Sequence, residues 1–183
     1  VYVCQQGAAP AVMTLPAGVT ITTRCTFTQA FDKFFMHLGE DQTTPTLVLT
    51  NVNSAWTAVT QAVQSSASAG TLQIPNAIRS TYFQNRLFIP LSTDDIAVSD
   101  IGDPTRYVPI LSEFKVNKGS SDSLVAISKF NDQTLIVFKD HSIYAVSNVY
   151  NTGSLAAAQL DQITDRFGLV AAKSVQMVGN DLW

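Results

Sequence analysis

The chain is built largely of short runs in which apolar and polar residues alternate, separated by turns rich in Asn, Asp and Gly. The run 19–29 alternates β-branched with polar residues, a period of two that is typical of a strand with one buried face. The same reasoning predicts strands at 34–38, 46–50, 81–83, 86–90, 96–99, 114–116, 124–130, 134–138, 142–147 and 174–178. An all-β fold is therefore predicted.

Two segments carry a weaker strand pattern. Trp56, Val59 and Val63 would share one face of a two-turn helix, with Ser54 as its cap. The low-complexity run 64–70 reads as part of a loop spanning 51–75. The Ala-rich piece 154–160 is compatible with a helix, and the residues just after it, 161–164, are equally compatible with a strand.

One local unit recurs along the chain: an apolar strand, a short Asn/Asp turn and a second apolar strand. Aligning Phe34, Leu87, Leu135 and Leu182 gives spacings of 53, 48 and 47 residues. Repeats of about 40–50 residues with four strands each are typical of propeller blades. A β-propeller-like meander of about three to four blades is predicted, with a sandwich or another β meander as the alternative. The predicted division is an N-terminal β segment over 1–80 and propeller blades over 81–183.

Composition supports strands and argues against nucleic-acid binding. Val, Ile and Thr together make 48 of the 183 residues, and Asp outnumbers Glu by twelve to two. Branched side chains favour strands and Asp favours turns. The eleven basic residues are scattered and the net charge is −3. The sequence contains no Lys/Arg cluster that could bind a phosphate backbone. Two long stretches without charge, 1–23 and 42–78, are interrupted by Pro, Gly and polar residues, so neither is expected to span a membrane.

Candidate chemistry is sparse. Four aspartates close in sequence offer a hard-cation site or a glycosidase pair: Asp94, Asp95, Asp100 and Asp103. They lack the spacing of a calcium loop, and turn capping accounts for each position. We therefore predict no metal site, no catalytic residue and no cofactor. No nucleophile elbow, phosphate-binding loop or zinc-protease motif occurs.

The histidines, cysteines and tryptophans read as structural residues. His37 falls in a strand and is expected to pack there, whereas His141 is expected in a solvated turn with Lys139 and Asp140. Cys4 and Cys25 match no metal spacing; buried thiols are expected, with a single disulfide as the alternative. Trp56 is expected in the core, and Trp183 would be there only if the chain continues.

The ends suggest a segment of a longer polypeptide. The chain starts in a strand-like Val-Tyr-Val and stops at Leu182-Trp183, inside another strand-like run. Isolated apolar half-strands would lack backbone partners.

Several elements in the second half of the chain resemble a known family. In order along 81–183 they are Phe83–Phe88 (FQNRLF), Val98–Pro104 (VSDIGDP), Ala126–Phe130 (AISKF), Leu135–Tyr144 (LIVFKDHSIY), Phe167–Val175 (FGLVAAKSV) and Gly179–Trp183 (GNDLW). This order resembles propeller-like virion proteins of tailed bacteriophages, such as the tail nozzle (tail tubular protein B) of short-tailed phages and related tail hub proteins. The first 80 residues carry little of the resemblance.

The resemblance implies a structural, non-enzymatic role in the phage tail. Such proteins form a homo-oligomeric ring beside other tail proteins, such as the adaptor and fibres, and the ring encloses the path of the ejected genome. Viral DNA would pass through without specific binding, and a weakly acidic chain suits such a passage, because a basic lining would retain phosphates. The alternative function is a propeller module, without a virion role, that binds a glycan or a protein.

Overall fold

The chain is all-β throughout the part that the structure describes. The computed structural model describes residues 2–3, 7, 9–21, 24–38, 46–52, 55–60, 64–66, 70–72, 74–107, 113–149, 155–178 and 181–182. These residues form eighteen strands and one turn of 3₁₀-helix at Leu155–Ala157. The predicted fold class is confirmed at this level. Within these ranges, no helix has the length and apolarity needed to cross a membrane.

Three four-stranded antiparallel sheets make up most of the fold, and each follows the chain strand by strand. The first sheet contains β3 (Thr26–Ala30), β4 (Lys33–His37), β5 (Leu47–Val52) and β6 (Ala55–Thr60). The second contains β9 (Thr81–Phe83), β10 (Arg86–Pro90), β11 (Asp95–Val98) and β12 (Glu113–Lys115). The third contains β13 (Leu124–Lys129), β14 (Thr134–Lys139), β15 (Ile143–Ser147) and β16 (Gln159–Thr164). Each sheet is therefore a simple meander whose first strand lies at one edge.

Three two-stranded hairpins accompany the sheets. They pair β1 (Tyr2–Val3) with β2 (Ala11–Val12), β7 (Gln64–Ser66) with β8 (Gly70–Leu72), and β17 (Met177–Val178) with β18 (Asp181–Leu182).

Hairpin turns form where the sequence predicts them, by two different means. Gln84 and Asn85 both have positive φ, 45° and 60°, between paired Phe83 and Arg86. Two such residues in a two-residue loop match the right-handed twist of the flanking strands. In the turn between β13 and β14, Asn131 instead accepts hydrogen bonds at its Oδ1 from the amides of residues 133 and 134, each 2.8 Å long.

The helix expected over 54–63 is wrong. Ala55–Thr60 is the strand β6, which pairs along its whole length with β5. The loop expected over 51–75 likewise contains β6 and the hairpin of β7 with β8. Pairing with a neighbouring strand supplies hydrogen bonds that the local pattern does not show, and it overrides the weak helical spacing. Trp56 lies in β6, but its side chain is outside the described residues, as is Trp183.

Of the piece 154–160, the described residues 155–160 form a single 3₁₀ turn and the start of the strand β16. The strand predicted at 174–178 is shorter, Met177–Val178.

The second strand of the second sheet, β10, is buried on both faces. On β10, Leu87 and Ile89 pack toward the first sheet, whereas Phe88 packs toward the third. This alternation follows from the two-residue period of a strand. All five residues of β10 are buried, so the second sheet is a central layer.

Apolar clusters fill the two spaces between the sheets. Between the first and second lie Ala30, Phe35, Val48, Ile74, Ala77, Leu87, Ile89, Ala97 and Tyr107. Between the second and third lie Phe83, Phe88, Ile96, Val98, Val116, Ile127, Leu135, Val137, Tyr144, Val146, Val149 and Leu155. A third cluster covers the far face of the first sheet and includes Met13, Met36, Leu38, Leu47 and Leu49.

The first strands of the three sheets lie next to one another. β3 contacts β9, and β9 contacts β13. Thr28 Oγ1 donates a 2.8 Å hydrogen bond to the carbonyl of Ser80, just before β9. Thr81 Oγ1 in β9 donates a bond of the same length to the carbonyl of Ile127 in β13. Hydroxyl-to-carbonyl bonds therefore link the first strands of neighbouring sheets.

Candidate functional site

The four aspartates predicted as a cation or glycosidase candidate do not gather into one site. The described residues contain one group of three potential metal ligands within 4.8 Å of one another, and it consists of Asp122, Asp140 and His141. Asp94 instead lies 2.9 Å from Lys139 Nζ, and Asp95 pairs with Lys115. Their charges are matched by lysines within the protein.

Asp100 and Asp103 define a tight turn, as the sequence predicts. They form an isolated antiparallel bridge, and Gly102 between them has φ +77°. Asp103 Oδ1 accepts bonds from both the amide and the hydroxyl of Thr105, at 3.0 and 2.7 Å. Asp100 pairs with Arg106 at 3.2 Å. Both carboxylates thus stabilise the chain reversal.

The pKa values also argue against a glycosidase acid at Asp94. A general acid needs a raised pKa, so that it still holds its proton near neutrality. The hydrogen bond from Lys139, with a second one from the amide of Gly119, lowers the pKa of Asp94. Asp94 is therefore a stable anion.

The group formed by Asp122, Asp140 and His141 was not predicted from the sequence, and its geometry is that of a capped turn. Asp122 Oδ1 accepts a 2.8 Å bond from the amide of His141, and its Oδ2 accepts a 2.5 Å bond from the hydroxyl of Ser142. Burial raises the pKa of Asp122, but these bonds outweigh it and the pKa is lowered. Asp140 and His141 are exposed, as expected for a turn.

Lys139 corrects the prediction of a solvated turn at 139–141. Its side chain is fully buried, on the same face of β14 as Leu135 and Val137. Besides the carboxylate of Asp94, its ammonium donates to the carbonyl of Val116 at 3.0 Å and to the hydroxyl of Ser120 at 2.9 Å. All three ammonium donors are used, and they tie the third sheet to the second.

Arg86 is a second buried cation. It is 1% exposed and donates from Nη1 to the carbonyl of Ser99 at 2.9 Å. Burial lowers its pKa, and the nearby charge of Asp100 raises it. In the described part of the chain its Nε and Nη2 meet no hydrogen-bond partner.

His37 is packed in the core, as the sequence predicts. Its side chain is fully buried in β4; Nδ1 lies 3.2 Å from Thr46 Oγ1, and Nε2 lies 2.8 Å from Ser80 Oγ. Burial lowers the pKa of His37 to about 4. The imidazole is therefore neutral at pH 7 and serves as a hydrogen-bonding link between β4 and the segment before β9.

This burial predicts acid sensitivity. The unfolded chain binds a proton at His37 near pH 6.5, whereas the folded chain does so only near pH 4. The contribution of neutral His37 to the free energy of unfolding is therefore fully present above about pH 6.5. It falls as the pH drops toward 4, and at pH 5 the loss from this residue alone is about 2 kcal/mol. Urea unfolding at pH 7 and pH 5 measures this loss. The His37→Gln variant should be less stable than the original protein at pH 7, but its free energy of unfolding should fall less between pH 7 and pH 5. An equal loss in both proteins would exclude His37 as the cause.

The strongest candidate for a binding site is an open cleft beside the first strands, hereafter the inner cleft. Its volume is about 260 Å³. Its walls come from β3, from the turn into β9, from β13 and from the segment 171–175. They include Thr26, Phe27, Thr28, Arg79, Ser80, Thr81, Ile127, Ala172, Lys173 and Val175. A second opening of about 380 Å³ shares Arg79, Ala172 and Lys173 with it.

The inner cleft carries positive charge. Arg79 and Lys173 are the charged residues among its described walls, and none of these described wall residues carries a carboxylate. Burial lowers the pKa of the Arg79 guanidinium, and no ion pair joins Arg79 to an acid among the described residues. Sequence reasoning missed this cleft, because nothing in the local pattern links residue 79 to residue 173.

Burial also raises the pKa of the Cys25 thiol, which is partly buried against the cluster around Met13. Cys4 lies outside the described residues, so the expectation for the two cysteines stays a prediction.

Comparison with known proteins assigns no family. No protein-family model matches the chain, and no curated protein matches it.

Proposed function

We propose that this chain is a propeller-like structural segment of a tailed-phage virion protein, part of an oligomeric tail nozzle or hub through which the genome is ejected. The observation that carries the proposal is the succession of three four-stranded meanders packed face to face, with their first strands side by side. Propeller blades are four-stranded sheets of this kind, arranged around an axis that runs along their first strands.

The contacts along the first strands support a radial arrangement. Sheets in a plain parallel stack would contact one another evenly across their width. Among the described residues, the most extensive strand contacts between sheets join β3 to β9, β9 to β13 and β10 to β13, all in the first half of their sheets. At the turn that follows each first strand, Phe31 packs edge-on against Tyr82, and Gln84 donates to the carbonyl of Asp132.

The repeat found in the sequence also has a consistent orientation. Phe34 packs against the cluster on the far face of the first sheet, Leu87 faces the first sheet, and Leu135 faces the second. Each aligned residue therefore points back toward the preceding layer. Phe35 and Phe88, one residue later, point forward to the following one. Structural units in which both the sequence spacing and the direction of the side chains repeat can stack one after another.

The virion role rests on the resemblance over residues 81–183, and charge is compatible with it. Within the described residues, five basic side chains pair with aspartates, and the net charge of the chain is −3. Arg79 and Lys173 share the inner cleft, but two cations are too few for the run of phosphate contacts that would hold a passing DNA backbone.

Electron microscopy of the intact protein, with its mass determined alongside, tests the proposal. We expect rings or tail-like particles with a central channel, in which this segment fits as sheets arranged around a local axis. Antibodies raised against this chain should label phage tails. Monodisperse monomers with no labelling of tails would overturn the conduit, and a planar stack of the three sheets would overturn the propeller.

A further inference from the structure

We propose that the inner cleft binds a small oxyanion, a carboxylate or a phosphoryl group, between Arg79 and Lys173. This site is independent of the virion role. It requires only the local convergence of β3, β9, β13 and the segment 171–175 that the structure describes.

Charge is the first argument. A half-buried guanidinium without a counter-ion has lost part of its hydration and gained no ionic partner in return. Arg79 is in this state among the described residues. A bound oxyanion would supply the missing partner, since a guanidinium offers two parallel N–H donors that match two oxygens of one carboxylate or phosphate.

The walls of the inner cleft are the second argument. Two cations, Arg79 and Lys173, stand among its described wall residues, and none of those residues is a carboxylate that would repel an anion. The chain as a whole is acidic, so this positive cleft is a local feature and not a consequence of overall charge. Its volume of about 260 Å³ suits an anionic group carried by a small organic body, such as one sugar ring.

The lateral hydrogen bonds argue against an extended peptide as the occupant. A peptide strand would bind mainly through backbone hydrogen bonds to a sheet edge. Here the carbonyls of Ile78, Ser80 and Ile127 already accept bonds from threonine hydroxyls of neighbouring strands. These bonds use the hydroxyl protons of the threonines too, so recognition in the inner cleft depends on the charged side chains of Arg79 and Lys173, which suit a small anion.

Calorimetric titration of the intact protein tests this proposal, with inorganic phosphate and glucuronate as probes and glucose as the neutral control. We expect saturable binding of at least one anion, weakening as salt is raised, and no binding of glucose. Arg79→Gln should weaken binding about tenfold or more, and Arg79→Lys should weaken it less, because charge is kept while the paired donors are lost. Which anion binds better distinguishes a phosphoryl from a carboxylate ligand.

The matched control is Arg166→Gln, which removes an exposed arginine outside the inner cleft. It should leave affinity unchanged. Melting temperatures of all variants, measured without anion, separate loss of binding from loss of folding. Absence of binding by both anions would overturn the proposal. So would equal weakening by Arg79→Gln and Arg166→Gln, or tighter binding of an acidic peptide than of either small anion.

Discussion

Gly168→Ala is expected to destabilise the protein by about 3 kcal/mol, a magnitude typical of overpacking a tight site. A Cβ at this position would lie 2.1 Å from the carbonyl oxygen of Lys139 and 2.5 Å from the carbonyl carbon of Asp140. Both are backbone atoms, so no side chain can turn aside to make room. The adjacent hydrogen bond, from the amide of Leu169 to the same Lys139 oxygen at 2.8 Å, would have to break or shift. Equilibrium urea unfolding at pH 7 measures the effect.

Gly119→Ala is the matched control. Gly119 has φ +80°, and an added Cβ there would meet no atom within 4 Å. Its cost is therefore only that of the left-handed backbone, about 1 kcal/mol. If the two substitutions cost the same, close approach of the backbones is not what requires glycine at position 168.

Lys139→Met is expected to cost about 3 kcal/mol, as found when one partner of a buried ion pair is removed. Methionine retains most of the volume between the second and third sheets. It leaves the carbonyl of Val116 and the carboxylate of Asp94 without the ammonium that now bonds to both. The loss should appear as a lower urea midpoint with an unchanged slope.

Lys129→Met provides the comparison. Lys129 pairs with Asp132 at 2.7 Å, but both side chains are at least half exposed. Surface pairs of this kind contribute little, and the substitution should change stability by less than about 0.5 kcal/mol. Comparable losses for Lys129→Met and Lys139→Met would contradict the assignment of Lys139 as a buried connection between sheets.

Hairpins were the part of the fold that sequence could predict, because their signals are local. The turn at Asn85 and the reversal at Gly102 need residues that tolerate positive φ, and asparagine and glycine stand there, whereas the positive φ of Gln84 has no such signal. The segment around Trp56 was misread because its structure depends on pairing with β5. A strand at the edge of a sheet takes its conformation partly from its neighbour, which a single-sequence pattern does not record.

The charged positions were harder to predict for the same reason. Lys139 stands next to Asp140 and His141, which are polar and exposed, so the three residues together suggest a surface turn. Only the register of β14 shows that its side chain points the same way as Val137, into the space beside the second sheet. The inner cleft joins residues from four separate segments, and their proximity follows from the packing of the sheets.

The strand-by-strand order within each sheet has a consequence for how the chain folds. Every described strand pairs with the one just before or after it, so each sheet forms from residues close in sequence and its loops close at a modest entropic cost. Contacts between near neighbours in sequence favour rapid folding. The bonds from Thr28 to Ser80 and from Lys139 to Asp94, which join sheets, span 52 and 45 residues and require two sheets to be in place first. Refolding should therefore show an early phase in which strand signal appears and a later one in which Lys139 becomes shielded from solvent.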